Sequence, residues 1–302
     1  MGRSRTVLIV GFGDIGRRVA ARLRGRYRVV AWVRKWRHAG RMRGVEHVRG
    51  DLDRPHTLTH LDCNFDWIFH FAPPPEHRRD LRTRNLLARF AAERRSGMLT
   101  RGQPRRWVYV STTGVYGDRA GAWVDENTTT RPGNPRAQRR GDAERQLLRW
   151  GRATGEPVAI LRSPGIYSAE RLPVERLRRA LPVLRAQDDV VSNRIHADDL
   201  ANVAILAARH ARRGRVFNVV DDEPLPMAEY FDRVADAAGL PRPPRIDRQR
   251  AQREIGPMML SFMSESRRIR NDRMKRELRV RLAYPRVEDF LARHFGASPA
   301  SG

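Results

Sequence analysis

The stretch Thr6-Val7-Leu8-Ile9-Val10-Gly11-Phe12-Gly13-Asp14-Ile15-Gly16 decides the fold. Val7 to Val10 form an uninterrupted apolar run, the pattern of a parallel strand buried on both faces. Gly11, Gly13 and Gly16 follow in G-x-G-x-x-G spacing, and Ile15 to Leu23 continue with helical periodicity. In that spacing the first glycine makes a tight turn, the second lets a pyrophosphate approach the backbone, and the third lets the helix pack close on the strand. Free N–H groups and the positive end of the helix dipole then meet the phosphates. A glycine triplet alone is a common turn feature; its place between a strand and a helix gives it meaning. The turn predicts dinucleotide binding through Gly11, Phe12, Gly13, Asp14, Ile15 and Gly16.

Downstream, Arg28 to Val33 reads as the second strand. An NAD site places a carboxylate near the end of this strand to hold the ribose hydroxyls. Here Arg34, Lys35 and Arg37 follow instead. Cations there accept a 2′-phosphate, so NADP is expected in preference to NAD, although in an Arg-rich chain they also read as background charge. Val45 to Val48 is a short third strand leading into Gly50-Asp51-Leu52-Asp53. With Leu52 beside it, Asp51 either bonds an adenine amino group or caps the next helix. Asp66 to Ala72 is the fourth strand, closed by Pro73-Pro74-Pro75, which cannot continue it. Ala72, Pro73 and Pro74 thus form a rim at the carboxyl end of a central strand, where ligands of open α/β sheets sit. His70, inside the apolar run, reads as a core residue.

Glu76 to Arg95 reads as a helix and Arg106 to Ser111 as the fifth strand. That strand runs into Thr112-Thr113-Gly114-Val115-Tyr116-Gly117 at the same carboxyl edge. Hydroxyls there can bind a carbonyl or alcohol oxygen, or merely end the strand. Strands alternating with helices, without an internal repeat, predict an α/β fold: a Rossmann doubly wound parallel sheet.

A chain of 302 residues suits one large domain or two smaller ones. The net charge is +26, and all but Lys35 and Lys275 of the 60 basic residues are arginines. They are scattered over every predicted helix, unlike the clustered, aromatic-interleaved charge of a nucleic-acid surface. No specific nucleic acid is therefore expected as a partner, though such a surface attracts anions in a salt-dependent way. There is no signal-like apolar segment, and no run nears the roughly 18 apolar residues of a membrane span. The single Cys63 excludes an internal disulfide and fits a reducing compartment. A cytoplasmic protein without membrane association or a metal site is expected.

Taken together, these residues resemble the extended and atypical short-chain dehydrogenases/reductases of the NAD-dependent epimerase/dehydratase group, from Thr6 to about Phe295. The glycine turn, Gly50-Asp51-Leu52 and Ser111-Thr112-Thr113-Gly114-Val115-Tyr116-Gly117 are similar to family motifs. So are Leu161-Arg162-Ser163-Pro164-Gly165-Ile166-Tyr167, at the end of the sixth strand, and Ile195-His196-Ala197-Asp198-Asp199. Val216-Phe217-Asn218-Val219 and Ser266 to Asn271 extend the match.

The resemblance implies a Rossmann domain over residues 1–168, completed by about 190–220. Residues 169–189 and 221–296 would form a small substrate-binding subdomain, with a disordered tail at 297–302. Within it, Ala169 to Leu184 and Leu225 to Leu240 read as helices, as does Asp198 to Arg209 on the sheet. The apolar segment Glu254 to Arg268 reads by default as core packing, or else would line a cleft or contact a partner. Ser163 and Pro164 would border the cofactor. The implied activity is hydride transfer on a carbonyl or alcohol substrate, with a nucleotide-linked sugar as one candidate and a homodimer as the assembly.

The catalytic helix departs from the family pattern. The family uses Tyr-x-x-x-Lys, where Tyr moves the proton and Lys binds the nicotinamide ribose. Here Arg136 stands at the Tyr position and Arg140 at the Lys position. A guanidinium, with its pKa above roughly 12, cannot supply the proton near neutral pH. Arg140 can still hold ribose hydroxyls, and Thr112 aligns with the family's catalytic Ser/Thr. Tyr116, Tyr167 and His196 are further candidates for proton transfer, each of which also reads as a packing or loop-orienting residue. Thr113, Tyr167 and His196 are expected on the substrate side. An NADP-binding regulator that has lost catalysis is the alternative.

Overall fold

The computed structural model describes residues 5–35, 40–76, 79–96 and 104–296, apart from the side chain of Met258. Arg37 and the expected tail at 297–302 lie outside the described residues. Seven strands build one parallel sheet: β1 (Thr6–Val10), β2 (Arg28–Val33), β3 (Glu46–Arg49), β4 (Trp67–His70), β5 (Arg106–Thr112), β6 (Val158–Ser163) and β7 (Arg215–Asn218). Their order is β7-β6-β5-β4-β1-β2-β3. The order reverses between β1 and β4, the switch point at which such sheets bind ligands.

Helices cover both faces. α1 (Asp14–Leu23) packs against α4 (Ala197–His210) on one side, and α2 (Leu81–Arg95) against α3 (Pro135–Thr154) on the other. The side-chain alternation of β1 shows why its sequence is continuously apolar. Val7 and Ile9 join Val19, Leu23 and Leu200 in one core, while Leu8 and Val10 join Leu86, Phe90 and Leu147 in the opposite one. A third core lies outside the sheet, where Tyr167, Leu184, Tyr230, Phe231, Ile246 and Phe290 pack together. Its principal helix is α5 (Met227–Ala237).

Several expected boundaries move, each for a local reason. α2 begins at Leu81, not Glu76, because the Asp80 side chain accepts from the Thr83 N–H and caps the helix there. Pro164 ends β6 at Ser163, and Gly165–Tyr167 leaves the main sheet to pair with Arg194–His196. The helix expected over Ala169 to Leu184 is absent. A single turn, Ala169–Arg171, precedes a short helix, Val174–Arg178, and Val183–Leu184 pairs as a strand with Arg245–Ile246. Pro173 and Pro182 interrupt the stretch, and Ala180 adopts a left-handed φ of 46°. Glu254 to Arg268 likewise breaks at Gly256-Pro257, so that helices Arg248–Glu254 and Pro257–Phe262 flank the break. Among the described residues no helix is long and apolar enough to cross a membrane.

Candidate functional site

Two cavities open at the carboxyl edge of the sheet. The smaller, about 300 Å³, lies at the ends of β1, β2 and β4 and is lined by Gly11, Phe12, Gly13, Ala72 and Pro73, with Arg34 and Lys35 opposite. Its floor depends on glycine. Gly11 has φ +95°, and a Cβ there would lie 2.5 Å from the Ala72 nitrogen. A Cβ on Gly16 would lie 2.5 Å from the Gly11 carbonyl oxygen. Gly13 differs, because a Cβ on it would meet nothing within 4 Å. Gly13 also begins α1 with no side-chain cap, so the first N–H groups of the helix remain available. This cradle fits a dinucleotide pyrophosphate.

The adenosine end is shaped by groups the sequence only partly revealed. Asp51 and Leu52 line the cavity, and the Asp51 carboxylate accepts from the Asp53 N–H at 3.0 Å. The Trp32 indole also lines it; its Nε1–H is buried and has no hydrogen-bond partner among the described residues. Arg82, absent from the sequence expectations, closes one wall. It donates to both Asp53 carboxylate oxygens, at 2.8 and 2.6 Å, and to the Pro73 carbonyl at 2.8 Å. Arg34 lies 4.0 Å from the same Asp53. A neighbouring cleft of about 650 Å³ shares Arg34 and Lys35 and adds Arg49, Arg54, His56 and His60.

Not every predicted cofactor residue reaches this groove. Asp14 instead accepts from Arg18 at 2.7 Å and Arg171 at 2.9 Å, because its side chain falls on the solvent side of the first turn of α1. Ile15 is buried in the core beside it. Pro74 is not among the residues that line the cavity, and Ser163 and Pro164 border the larger cavity instead.

The larger cavity, about 500 Å³, begins at the ends of β5 and β6 and extends to the third core. It gathers Thr112, Thr113, Arg136, Arg140, Ser163 and Tyr167. The Thr112 hydroxyl accepts from the Gly114 N–H at 3.1 Å and stays at the cavity wall. Arg140 donates to the Val110 carbonyl at 2.7 Å and the Tyr109 hydroxyl at 3.1 Å. Arg136 stacks its guanidinium 4.3 Å above the Phe262 ring. The Tyr167 and Ser163 hydroxyls are both buried without hydrogen-bond partners among the described residues. Burial pushes the Tyr167 phenol well above its usual range.

Two candidates lie elsewhere. Tyr116 is fully buried beneath the turn and donates to the side-chain oxygen Oδ1 of Asn218 at 2.7 Å, with the Arg162 guanidinium 4.8 Å from its ring centre. Val115-Tyr116 turns inward because the 3₁₀ turn Thr113–Tyr116 follows the strand directly. His196 is enclosed by Tyr167, Tyr284 and Phe290. Its Nδ1 accepts from the Asp198 N–H at 3.2 Å, which makes it the N-cap of α4. Burial lowers its pKa to about 4. His196 borders neither cavity, so the expectation that it faces substrate does not match its position.

Beneath the cavity runs a buried polar network that the sequence reading did not identify. Ser111 donates to Glu144 at 2.5 Å, and Glu144 accepts from Arg162 at 2.8 Å. His70 extends a second chain, with its Nε2 2.9 Å from the Thr83 hydroxyl, which donates to Asp80 at 2.6 Å. Cys63 is buried and its thiol is pushed up by burial. Among the described residues no cluster of three or more His, Cys, Asp or Glu side chains is placed to hold a metal ion.

Comparison with known proteins agrees with this fold. A 3-diazoavenalumate denitrifying reductase from a Streptomyces species is 30% identical over 147 residues, 49% of this chain and 46% of that protein. The chain thus matches less than half the length of this curated relative. A solved structure of a functionally unknown conserved protein from Silicibacter pomeroyi superimposes with TM-score 0.80 at 30% identity, covering 97% of this chain and 98% of the other. The dTDP-glucose 4,6-dehydratase of Bacillus anthracis, solved with NAD, shares the fold at TM-score 0.75 and 16% identity, over 97% and 96% of the two chains. The model of the NAD dependent epimerase/dehydratase family matches residues 7–220, and the chain belongs to that family.

Proposed function

We propose that the protein is an oxidoreductase that binds NADP in preference to NAD and acts on a carbonyl or alcohol substrate in the larger cavity. The observation that carries this reading is the placement of Arg34 and Lys35 on the wall of the smaller cavity, opposite the Gly11–Gly13 cradle. Gly13 would admit the pyrophosphate, Trp32 and Asp51 would border the adenosine, and Arg34 with Lys35 would meet a 2′-phosphate. The bound nicotinamide would give hydride to a carbonyl carbon or take it from an alcohol carbon. Arg140 would hold the ribose hydroxyls. The Thr112 hydroxyl would polarise the substrate oxygen, with Arg136 stabilising its negative charge. The proton would pass between that oxygen and water through the Thr112 hydroxyl, since neither guanidinium can supply it.

Nucleotide-linked sugars are the first substrate class to screen, because the Bacillus anthracis relative is named for dTDP-glucose. Calorimetric titration with NADPH and NADH, on wild type and Arg34→Ala, tests the cofactor reading. Tighter binding of NADPH, lost selectively in the variant, supports it; equal binding of both nucleotides to wild type overturns the preference.

A second reading rests on Arg136 and Arg140 at the Tyr and Lys positions. On this view the protein binds NADP as a regulator without turning over. Absence of NADPH oxidation above background across carbonyl and sugar-nucleotide substrates would favour it.

A further inference from the structure

The larger cavity is lined by a buried guanidinium that makes no direct hydrogen bond or ion pair with the described residues. Arg194 is only 8% exposed, yet it lines the cavity. Its guanidinium lies 3.6 Å from the centre of the Tyr230 ring, and no hydrogen bond reaches its Nε. Its charge has no carboxylate within 4 Å among the described residues. The carboxyls of Asp221 and Asp189 act on that charge from beyond this distance; one Asp221 carboxylate oxygen is itself buried without a hydrogen bond among the described residues, and burial pushes both carboxyls up. A buried charge is normally paired. Here the missing partner would have to come from the cavity itself.

The other arginines on the wall are mostly engaged. Arg171 pairs with Asp14 at 2.9 Å and Arg267 with Glu265 at 2.8 Å, while Arg140 is held by Val110 and Tyr109. Among the described arginines that line the cavity, the guanidiniums of Arg136 and Arg194 make neither a hydrogen bond nor an ion pair. Arg136 belongs to the reaction end, beside Thr112 and Arg140. That leaves one open guanidinium fork at the far end, which suits one carboxylate; a diphosphate would call for several cations. Beside Tyr230, the cavity wall carries the apolar side chains of Met227, Phe231 and Met259, together with the polar Ser192 and Asn193.

We infer that Arg194 is the receptor for the carboxylate of a compact organic acid whose aromatic or apolar body fills this cavity. The inference rests on reading the larger cavity as the substrate site. It narrows the substrate to a carbonyl or alcohol compound bearing one carboxylate, in place of a nucleotide-linked sugar. Tyr230 stacks on the guanidinium and fixes its plane, so that its N–H groups are oriented before the ligand arrives. The unpartnered Tyr167 hydroxyl supplies a second polar group on the same wall.

The test is calorimetric titration of 3-phenylpropionate, its neutral amide and UDP into the NADPH-saturated full chain. Wild type is compared with Arg194→Gln and Arg194→Lys. The acid should bind at least tenfold tighter than the amide. That preference should vanish in Arg194→Gln and persist in part in Arg194→Lys, while NADPH affinity stays the same in all three. Equal binding of acid and amide to wild type overturns the inference, as does failure of the acid to bind. The comparison on wild type does not depend on either variant folding. UDP binding more tightly than the acid, with the same dependence on Arg194, overturns the carboxylate assignment in favour of a diphosphate. If NADPH itself fails to bind, the cofactor reading falls, and the acid-versus-amide comparison on the free protein still decides this one.

Discussion

Arg140 on α3 donates to the Val110 carbonyl on β5 across 2.7 Å, and so ties this helix to the strand beneath the hydroxyl turn. The second bond, to the Tyr109 hydroxyl at 3.1 Å, fixes the guanidinium plane. A lysine ammonium has no such planar fork. If the remaining N–H groups hold the cofactor ribose, Arg140→Met should raise the NADPH dissociation constant about tenfold, equivalent to about 1.4 kcal/mol. Arg140→Lys should retain part of that affinity. Calorimetry on the two variants decides it, and wild-type affinity in Arg140→Met would reduce Arg140 to a brace between helix and strand.

The glycines of the first turn should separate folding from binding. Gly13→Ala places its methyl where nothing lies within 4 Å, and the residue's φ of −82° suits alanine. Its melting temperature should therefore match wild type, while NADPH affinity falls more than tenfold because the methyl occupies the approach of the pyrophosphate. Gly11→Ala combines a left-handed φ of +95° with a 2.5 Å approach to the Ala72 backbone. It should lower both stability and binding. A Gly13→Ala variant that binds normally would remove the cradle from the site.

The buried Glu144–Arg162 pair is expected to be far costlier to break than to replace. Arg162→Met leaves Glu144 buried with only Ser111 to bond it and should cost about 3–5 kcal/mol of stability. The double variant Arg162→Met, Glu144→Leu removes both charges and should recover much of that loss. Urea unfolding of the single and double variants measures the difference. Equal destabilisation in both would mean that packing of the Arg162 stem, rather than charge, dominates.

The strands and the glycine turn were legible because their signals are local. A run such as Val7 to Val10 can be satisfied only by burial on both faces, and Gly11, Gly13 and Gly16 carry their constraint in their spacing. The larger cavity was much less legible. Arg194 and Tyr230 are 36 positions apart in the chain and come together only when Arg194–His196 pairs with Gly165–Tyr167 and α5 folds against them. In a chain with arginines on every helix, nothing marks Arg194 as buried. Tyr116 and His196 were misleading for the opposite reason. Both stand in suggestive motifs, but one satisfies its hydroxyl on Asn218 and the other caps α4. The prolines at 173 and 182 were visible, but the strand pairing that replaces the expected helix depends on Arg245–Ile246, far along the chain.

Acid should destabilise the protein through its buried histidines. Burial lowers His70 to about 3 and His196 to about 4, below the roughly 6.5 of an unfolded histidine. The folded state therefore refuses protons that the unfolded state accepts below about pH 6.5. Stability is full above that pH and falls as the solution is acidified toward the folded values. Between pH 7.5 and 5 each histidine should cost about 2 kcal/mol. Asp80, Asp199 and Asp221 are shifted up by burial and act in the opposite sense, because the folded state holds their protons more tightly than the unfolded chain does. Comparing variants isolates the histidine contribution from theirs. His196→Asn keeps an N-cap acceptor for α4 and removes one titrating ring. Chemical denaturation of wild type and His196→Asn at pH 7.5, 6 and 5 should show the shallower loss in the variant. The same pH slope in both would mean that His196 takes up its proton as readily in the folded protein as in the unfolded chain, contrary to its enclosure by Tyr167, Tyr284 and Phe290.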